Sequence, residues 1–438
     1  MTNTITQPPL RILIAGWEGG GNVPPVLEAI RALVERGHDV RLISDNSMAA
    51  GATLAGARHI PWLRAPNRPD RTSGTCFVRD WTIAAPMDQL RAWATKIFVG
   101  PAVAYARDMV DVLSEETADL IISSDLLFGA MLGAEKACIP AVTLAANISI
   151  DPLPGHPPFS PGFLPAANEA ERDRDHQVTA MTESMWNSFL PDLNTARTIM
   201  GLEPLARTLD QLHYAIRHLL ATSTAFDFPV THLPEKFRYV GPLLEEPDWA
   251  APLDLPYVGD KPLVLVAFST TFQGQDRVLT TIVEAARHLP LHAIVTLGNA
   301  MEDRHLPSCP NVTIIQGASH DAILKHAAAT ITHGGHGTTM RSLRHGVPLL
   351  VLPMGRDQSD NAARVEYHGA GLRLPATASA PDIAQALHRL IAEPGFAANA
   401  RKVARALATD GSSSSHLVTE IEAAASTVKA AAQQSCAA

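Results

Sequence analysis

The sequence predicts an α/β protein made of two doubly wound, Rossmann-like domains that face each other across a cleft. Three observations predict it. Short aliphatic or β-branched runs alternate with amphipathic stretches in both halves, the pattern of a parallel sheet flanked by helices. A Pro- and acid-rich stretch without periodicity, GPLLEEPDWAAPLDLPYVGDKP, separates the halves. Glycine-rich or hydroxyl-rich turns follow several of the apolar runs, where a backbone can approach a ligand closely.

In the first half, Leu10–Ala15 reads as a strand, Pro24–Arg36 as an amphipathic helix and Asp39–Ser44 as a second strand, with Gly37-His38 as the helix-to-strand turn. Asp119–Ser123 is a buried strand followed by Asp125. Leu126–Lys136 reads as helix and Ala141–Ala145 as strand. Asp151–Ala167, rich in Pro and Gly, reads as a surface loop. The second half repeats the alternation: Leu263–Phe268, AIVTLG ending at Gly298, VTII ending at Ile315, then ATITHGG. The expected organisation is a domain over 1–240, a linker over 241–261, a domain over 262–411, and a C-terminal helix and frayed tail over 412–438.

Composition narrows the function classes. A chain of 438 residues, 46% hydrophobic and 18% charged, can bury two full cores. Its net charge of −9 (35 basic against 44 acidic) comes without a basic block, which argues against nucleic acid or an anionic membrane as partner. No apolar run reaches the roughly 18 residues of a spanning helix. MTNTITQPPLRILIAGW lacks a charged region followed by a long apolar core, so no signal peptide is expected and the cytoplasm is the expected compartment. Cys76, Cys138, Cys309 and Cys436 are too scattered for a metal site, and neither metal nor cofactor is expected.

The most informative stretch is ATITHGGHGTTMRSLRHGVPLLVLPMGRDQSDNAARV. Ala329–Thr332 is a strand, His333-Gly334-Gly335-His336-Gly337 a turn, and Thr338–His345 a helix stopped by Gly346-Val347-Pro348. Leu349–Pro353 is the next strand, and Asp357-Gln358 opens the next helix. Free N–H groups at a helix N-terminus suit a phosphate, and His333, Gly335, Gly337, Thr338 and Thr339 surround that point. Asp357 and Gln358 would fall in the crevice where open α/β sheets bind ligands. A carboxylate beside an amide suits sugar hydroxyls.

These residues resemble the nucleotide-sugar signature of the GT-B glycosyltransferases, in the family that glycosylates macrolides, other natural products and xenobiotics. The match is His-Gly-Gly-x-Gly-Thr-Thr, Gly-Val-Pro, Pro before Asp-Gln, and Asn-Ala-x-Arg-Val. The resemblance implies a metal-independent, inverting transfer of a hexose from a nucleotide diphosphate sugar, UDP-glucose first and a dTDP-sugar second, to a small lipophilic acceptor. Nucleotide sugar and acceptor are then the partners. Ser269-Thr270-Thr271, directly after the strand LVLVAF, is expected to touch the phosphates or the transferred sugar from the other side, and the resemblance implies donor contacts from Ala318 and His320. A nucleotide-sugar epimerase and a non-catalytic sugar-nucleotide-binding partner protein are the alternatives.

The turn Gly16-Trp17-Glu18-Gly19-Gly20-Gly21-Asn22 follows the first strand. Its spacing is not G-x-G-x-x-G, and only Asp45 favours a dinucleotide ribose. Members of the resembled family usually carry a histidine where this chain has Asn22, with an aspartate partner that matches Asp125. Asp125 also reads as a helix N-cap. An amide is no general base at neutral pH. Three readings stay open: Asp125 or Glu18 acts directly, the acceptor needs little help, or Asn22 weakens the enzyme. Arg341 stands where UDP-using relatives often have a glutamate for the ribose diol, which leaves room for a deoxyribose donor. Asn361 reads either as reaching the sugar or a phosphate, or as a surface residue.

Overall fold

A computed structural model of the chain describes residues 8–244, 260–269, 271–298, 301, 306–307 and 309–437. Most of the expected linker, 245–259, and Thr270 of the expected donor site lie outside the described residues. The architecture is α/β, with two parallel sheets.

The first sheet has seven strands: β1 (Arg11–Ala15), β2 (Asp39–Ser44), β3 (Arg58–Pro61), β4 (Leu120–Ser124), β5 (Ala141–Ala145), β6 (Arg217–Leu220) and β7 (Phe237–Tyr239), in the order β3-β2-β1-β4-β5-β6-β7. The second has six: β8 (Leu263–Ala267), β9 (His292–Thr296), β10 (Val312–Ile315), β11 (Ala327–Thr332), β12 (Leu349–Val351) and β13 (Gly371–Arg373), in the order β10-β9-β8-β11-β12-β13. Both faces of each sheet are buried. Along β1, Ile12 and Ile14 enter one core while Leu13 and Ala15 enter another. Along β8, Val264 and Val266 face away from Leu263, Leu265 and Ala267. This two-residue alternation with apolar groups on both sides explains the continuous aliphatic runs.

The strand orders decide where a ligand can sit. In the first sheet the order reverses between β1 and β4, and in the second between β8 and β11. The loops beyond the carboxyl ends of such a strand pair diverge and leave a crevice. Asn22 and Asp125 lie in the loops after β1 and β4, and Ser269 and His333 in those after β8 and β11. Topology therefore gathers residues that are far apart in the chain.

The C-terminal helix Ser413–Ala437 packs back on the first domain. Leu417 and Ile421 are fully buried in the core of the helix Val23–Glu35, and Arg36 pairs with Glu422 at 2.8 Å. Several boundaries differ from expectation by one or two residues, and three of them bear on the residues of interest. The helix placed at Leu126 starts at Phe128 with Leu127 before it, so Asp125 is not its N-cap. The helix placed at Thr338 starts two residues earlier, at His336. β12 ends at Val351 rather than Pro353, since a proline has no N–H to continue the ladder.

Candidate active site

A cavity of about 340 Å³ lies between the two domains. Its first-domain wall is largely apolar, with Trp17, Leu90, Trp93, Phe98, Phe159 and Trp186. The second domain supplies polar groups and exposed backbone.

The turn after β1 is laced by its own side chains. Asp45 accepts the Glu18 amide at 2.8 Å, and Glu18 in turn accepts the Gly20 amide at 2.9 Å and Arg71 Nε at 2.8 Å. Asn22 Nδ2 donates to Trp17 O at 2.7 Å, while Asn22 Oδ1 accepts the Gly19 amide at 3.0 Å. Asn22 reaches the cavity wall but works as a turn lock. Glu18 is 3% exposed and held by these partners, which disfavours it as a base. Asp45 also accepts the Arg68 amide and does not line the cavity, so it is a turn anchor rather than a ribose ligand.

Asp125 has a different setting. It lines the same cavity and is 8% exposed. Burial pushes its carboxyl up to about 7, against weaker hydrogen bonding from its own amide, the Leu126 amide and the Ser124 hydroxyl. No cation among the described residues contributes to that balance. A carboxyl poised near neutrality at a cavity wall can take a proton from a hydroxyl at physiological pH.

On the facing domain, the helix His336–Arg344 points its first amides at the cavity, and Gly335, Gly337 and Thr338 line it. Close packing sets the turn before it. Gly334 has φ +93°, and a Cβ there would lie 2.7 Å from Val351 and 2.9 Å from the Gln358 carbonyl. Gly337 is the opposite case. It is helical, and a Cβ on it would meet no atom within 4 Å. Gly21, across the cavity, is equally unconfined. Nothing among the described residues demands glycine at either position, so the space suits a ligand. Gly337→Ala is therefore expected to leave the melting temperature unchanged or raised, since alanine favours a helix by up to about 1 kcal/mol. Donor KM should rise about tenfold or more, a cost of about 1.4 kcal/mol. Thermal melts and donor titration check this.

His333 lines the cavity, and burial pushes its imidazole down to about 3, so it is neutral. Its ring also hydrogen-bonds the Ala267 backbone, which opposes that shift. Thr339 differs from expectation: it is fully buried, its Oγ1 has no partner among the described residues, and it does not line the cavity, because one helical step turns it away from Thr338. Ser269 lines the cavity. Thr271 does not; it contacts Ser269 Oγ at 3.1 Å and accepts Arg356 Nη1 at 3.1 Å. Ala318 and His320 line the far end, with His320 Nε2 3.0 Å from Thr296 Oγ1 and its imidazole pushed by burial down to about 4.

Asp357 and Gln358 both line the cavity, but their side chains differ in availability. Asp357 Oδ2 accepts Asn147 Nδ2 of the first domain at 2.9 Å and Asn361 Nδ2 at 2.8 Å. Gln358 is 1% exposed; its Oε1 accepts the Met354 amide at 2.7 Å and its Nε2 donates to Gln273 at 2.8 Å. The amide expected to hold sugar hydroxyls thus braces the loop. Asn361 is fully buried and donates to Gly334 O at 2.8 Å, so it is neither a surface residue nor a direct ligand; it ties the glycine turn to Asp357. Arg341 lines the cavity while donating to Asp321 at 2.5 Å and to Leu244 O at 2.9 Å.

Arg356 is a cavity residue that the sequence reading does not single out. It holds φ +58°, unusual for a side-chain-bearing residue, and from there bridges the domains to Asp80 at 2.8 Å with its guanidinium 5.3 Å from the Trp93 ring. It lines the cavity beside Asp357 as a cation. It stands directly before Asp-Gln in the motif, but a left-handed backbone at an arginine leaves no mark in sequence.

The chain is similar to known proteins over most of its length. Residues 280–423 match the family model described as erythromycin biosynthesis protein CIII-like, C-terminal domain. The chain is 26% identical over 410 residues to the 4'-demethylrebeccamycin synthase of Lentzea aerocolonigenes, covering 90% of this chain and 94% of that one. The solved glycotransferase of kitacinnamycin superposes with a TM-score of 0.74 at 22% identity, over 95% of this chain and 99% of that chain. The glycosyltransferase VinC, solved in complex with dTDP, superposes with a TM-score of 0.65 at 20% identity, over 95% of this chain and 100% of that chain.

Proposed function

We propose that this chain, similar over most of its length to natural-product glycosyltransferases, moves a hexose from a nucleotide diphosphate sugar to a hydroxyl of a small lipophilic acceptor, with inversion and without a metal ion. One observation carries the reading. A single cavity joins the bare N-terminus of the helix His336–Arg344 to the poised carboxyl of Asp125 in the other domain.

In this reading the diphosphate rests on the Gly337 and Thr338 amides, with Arg356 as the nearby cation. The acceptor lies against the Trp17, Trp93 and Phe98 wall. Asp125 takes the hydroxyl proton as the acceptor oxygen attacks the anomeric carbon. The bond to the diphosphate breaks with its electron pair leaving on phosphate oxygen, and helix amides stabilise that charge. Attack and departure on opposite faces invert the configuration.

The nucleoside end of the cavity, at Thr296, Gly298, Ala318, His320 and Arg341, contains no carboxylate among its described residues. A site built around a substrate hydroxyl rejects the analogue lacking it by roughly 10⁴–10⁵-fold. No such rejection is expected here. UDP-glucose and dTDP-glucose should differ in kcat/KM by no more than about tenfold. Parallel kinetics with both donors check this, and a strong preference for the ribose donor contradicts it.

Incubation with nucleotide sugars and a phenolic acceptor tests the whole reading. Glycoside of inverted configuration, formed equally well in EDTA, supports it. Sugar isomer exchange without acceptor would indicate an epimerase, and binding without turnover a partner protein. The apolar wall, which an epimerase does not need, favours transfer.

A further inference from the structure

A second cavity, of about 50 Å³, lies behind the active site, and Asp125 lines both. Its other walls carry Thr143, Ser149, Asp151, His213 and His218. That volume is enough to hold water, since one molecule needs roughly 10–15 Å³. Thr143 Oγ1 sits 2.8 Å from His218 Nδ1, a hydroxyl–imidazole pair able to pass a proton in either direction. Asp151 and His213 are exposed to solvent, so the cavity leads outward. Four titratable groups therefore face it: Asp125, Asp151, His213 and His218. Burial pushes His218 down to about 4.

We propose that this second cavity is the proton exit of the active site: water in it carries the proton that Asp125 takes from the acceptor hydroxyl to Asp151 or His213 at the surface. The proposal rests on Asp125 being the base. Its logic is steric. The acceptor that delivers the proton covers the active-site side of Asp125, and the glycoside still covers it after transfer. A carboxyl with a single opening could not shed its proton until the product left. A rear opening lets the site reset while the product is still bound. The balance is simple: the O–H proton moves to Asp125, then to water, then to Asp151 or His213 and bulk solvent.

Two substitutions at the rear walls plug the cavity without touching the active site: Ala145→Leu on β5 and Ser149→Leu on the loop after it. The rate of a single turnover should stay at the wild-type value, since the first proton transfer is intact. Steady-state kcat should fall about tenfold, a product burst should appear, and the solvent deuterium effect on kcat should rise above about 2. Asp151→Asn at the mouth should show a milder loss that added imidazole buffer restores. Wild-type kcat and isotope effect in both plugged variants would overturn the exit. So would an equal loss in single-turnover rate, which marks the walls as mere support. Asp125→Asn separates the two claims: if that variant retains full activity, the base assignment itself fails.

Discussion

Asp125→Asn is expected to lower kcat/KM for a phenol or alcohol acceptor by about 10²–10⁴-fold, the range that general-base assistance supplies. The change is nearly isosteric and leaves the described cations' partners in place, because none of those cations contributes to the electrostatics of that carboxyl. Donor KM should therefore stay close to wild type. The pH profile gives an independent reading. The active form of Asp125 is ionised, so wild-type kcat/KM should climb with pH and level off above about 7, while the variant should lack that limb. Linkage gives a second sign. The folded carboxyl sits at about 7, above its ordinary value of 3.8, so the folded chain holds a proton that the unfolded chain has released. That contribution is fully present below about 4 and is lost as pH rises through 7. Relative to wild type, Asp125→Asn should be more stable at pH 8 than at pH 4, by denaturant titration at both values. A variant with full activity and an unchanged profile would remove Asp125 from the chemistry.

Asn22→His is expected to bring no gain in turnover on an alcohol acceptor. Both polar atoms of Asn22 already close the turn, on Trp17 O and the Gly19 amide. An imidazole that makes these two contacts has no free nitrogen left for the acceptor. A clear rise in kcat would show that the ring escapes the turn and would restore a histidine-based mechanism.

The fold was readable because it depends on patterns that are local in sequence. Aliphatic runs such as RILIA and LVLVA declare strands buried on both faces, and the glycine turns follow them directly. The gathering of Asn22 with Asp125, and of Ser269 with His333, follows once the strand orders are known. What stayed hidden was the direction of side chains. Gln358 and Thr271 belong to the right loops, but their polar groups turn to Met354, Gln273, Ser269 and Arg356 rather than to the cavity. Hydrogen-bond satisfaction of a buried amide is a tertiary matter, and neighbours in sequence do not record it. The left-handed Arg356 and its reach to Asp80 were hidden for the same reason.

Asp227→Ala is expected to destabilise the chain by about 3–5 kcal/mol, far more than a substitution at the cavity wall. Asp227 lies in the segment between β6 and β7, with its side chain 1% exposed, and meets Arg364 Nε of the helix Gln358–Tyr367 at 2.7 Å. It also accepts Tyr239 Oη at 2.8 Å and its neighbour Phe228's amide at 2.9 Å. Arg364 is itself only 4% exposed, lies 4.2 Å from the centre of the Phe228 ring and donates to Asp360 O at 3.0 Å. Removing the carboxylate leaves the guanidinium with the cation–π contact, one carbonyl and the Coulomb attraction of the buried Asp360 carboxyl, none of which replaces the direct ion pair. Removing both charges should cost much less, so Asp227→Ala with Arg364→Leu should recover a large part of the loss. The effect should also reach function. This ion pair joins the two domains through the very helix that begins beside Asp357, so loosening it should raise donor KM even where the fold survives. Urea denaturation of the single and double variants, with donor titration of each, checks both halves. A single-variant loss under about 1 kcal/mol would show that water or a shifted side chain meets the arginine, and that the domains are held together elsewhere.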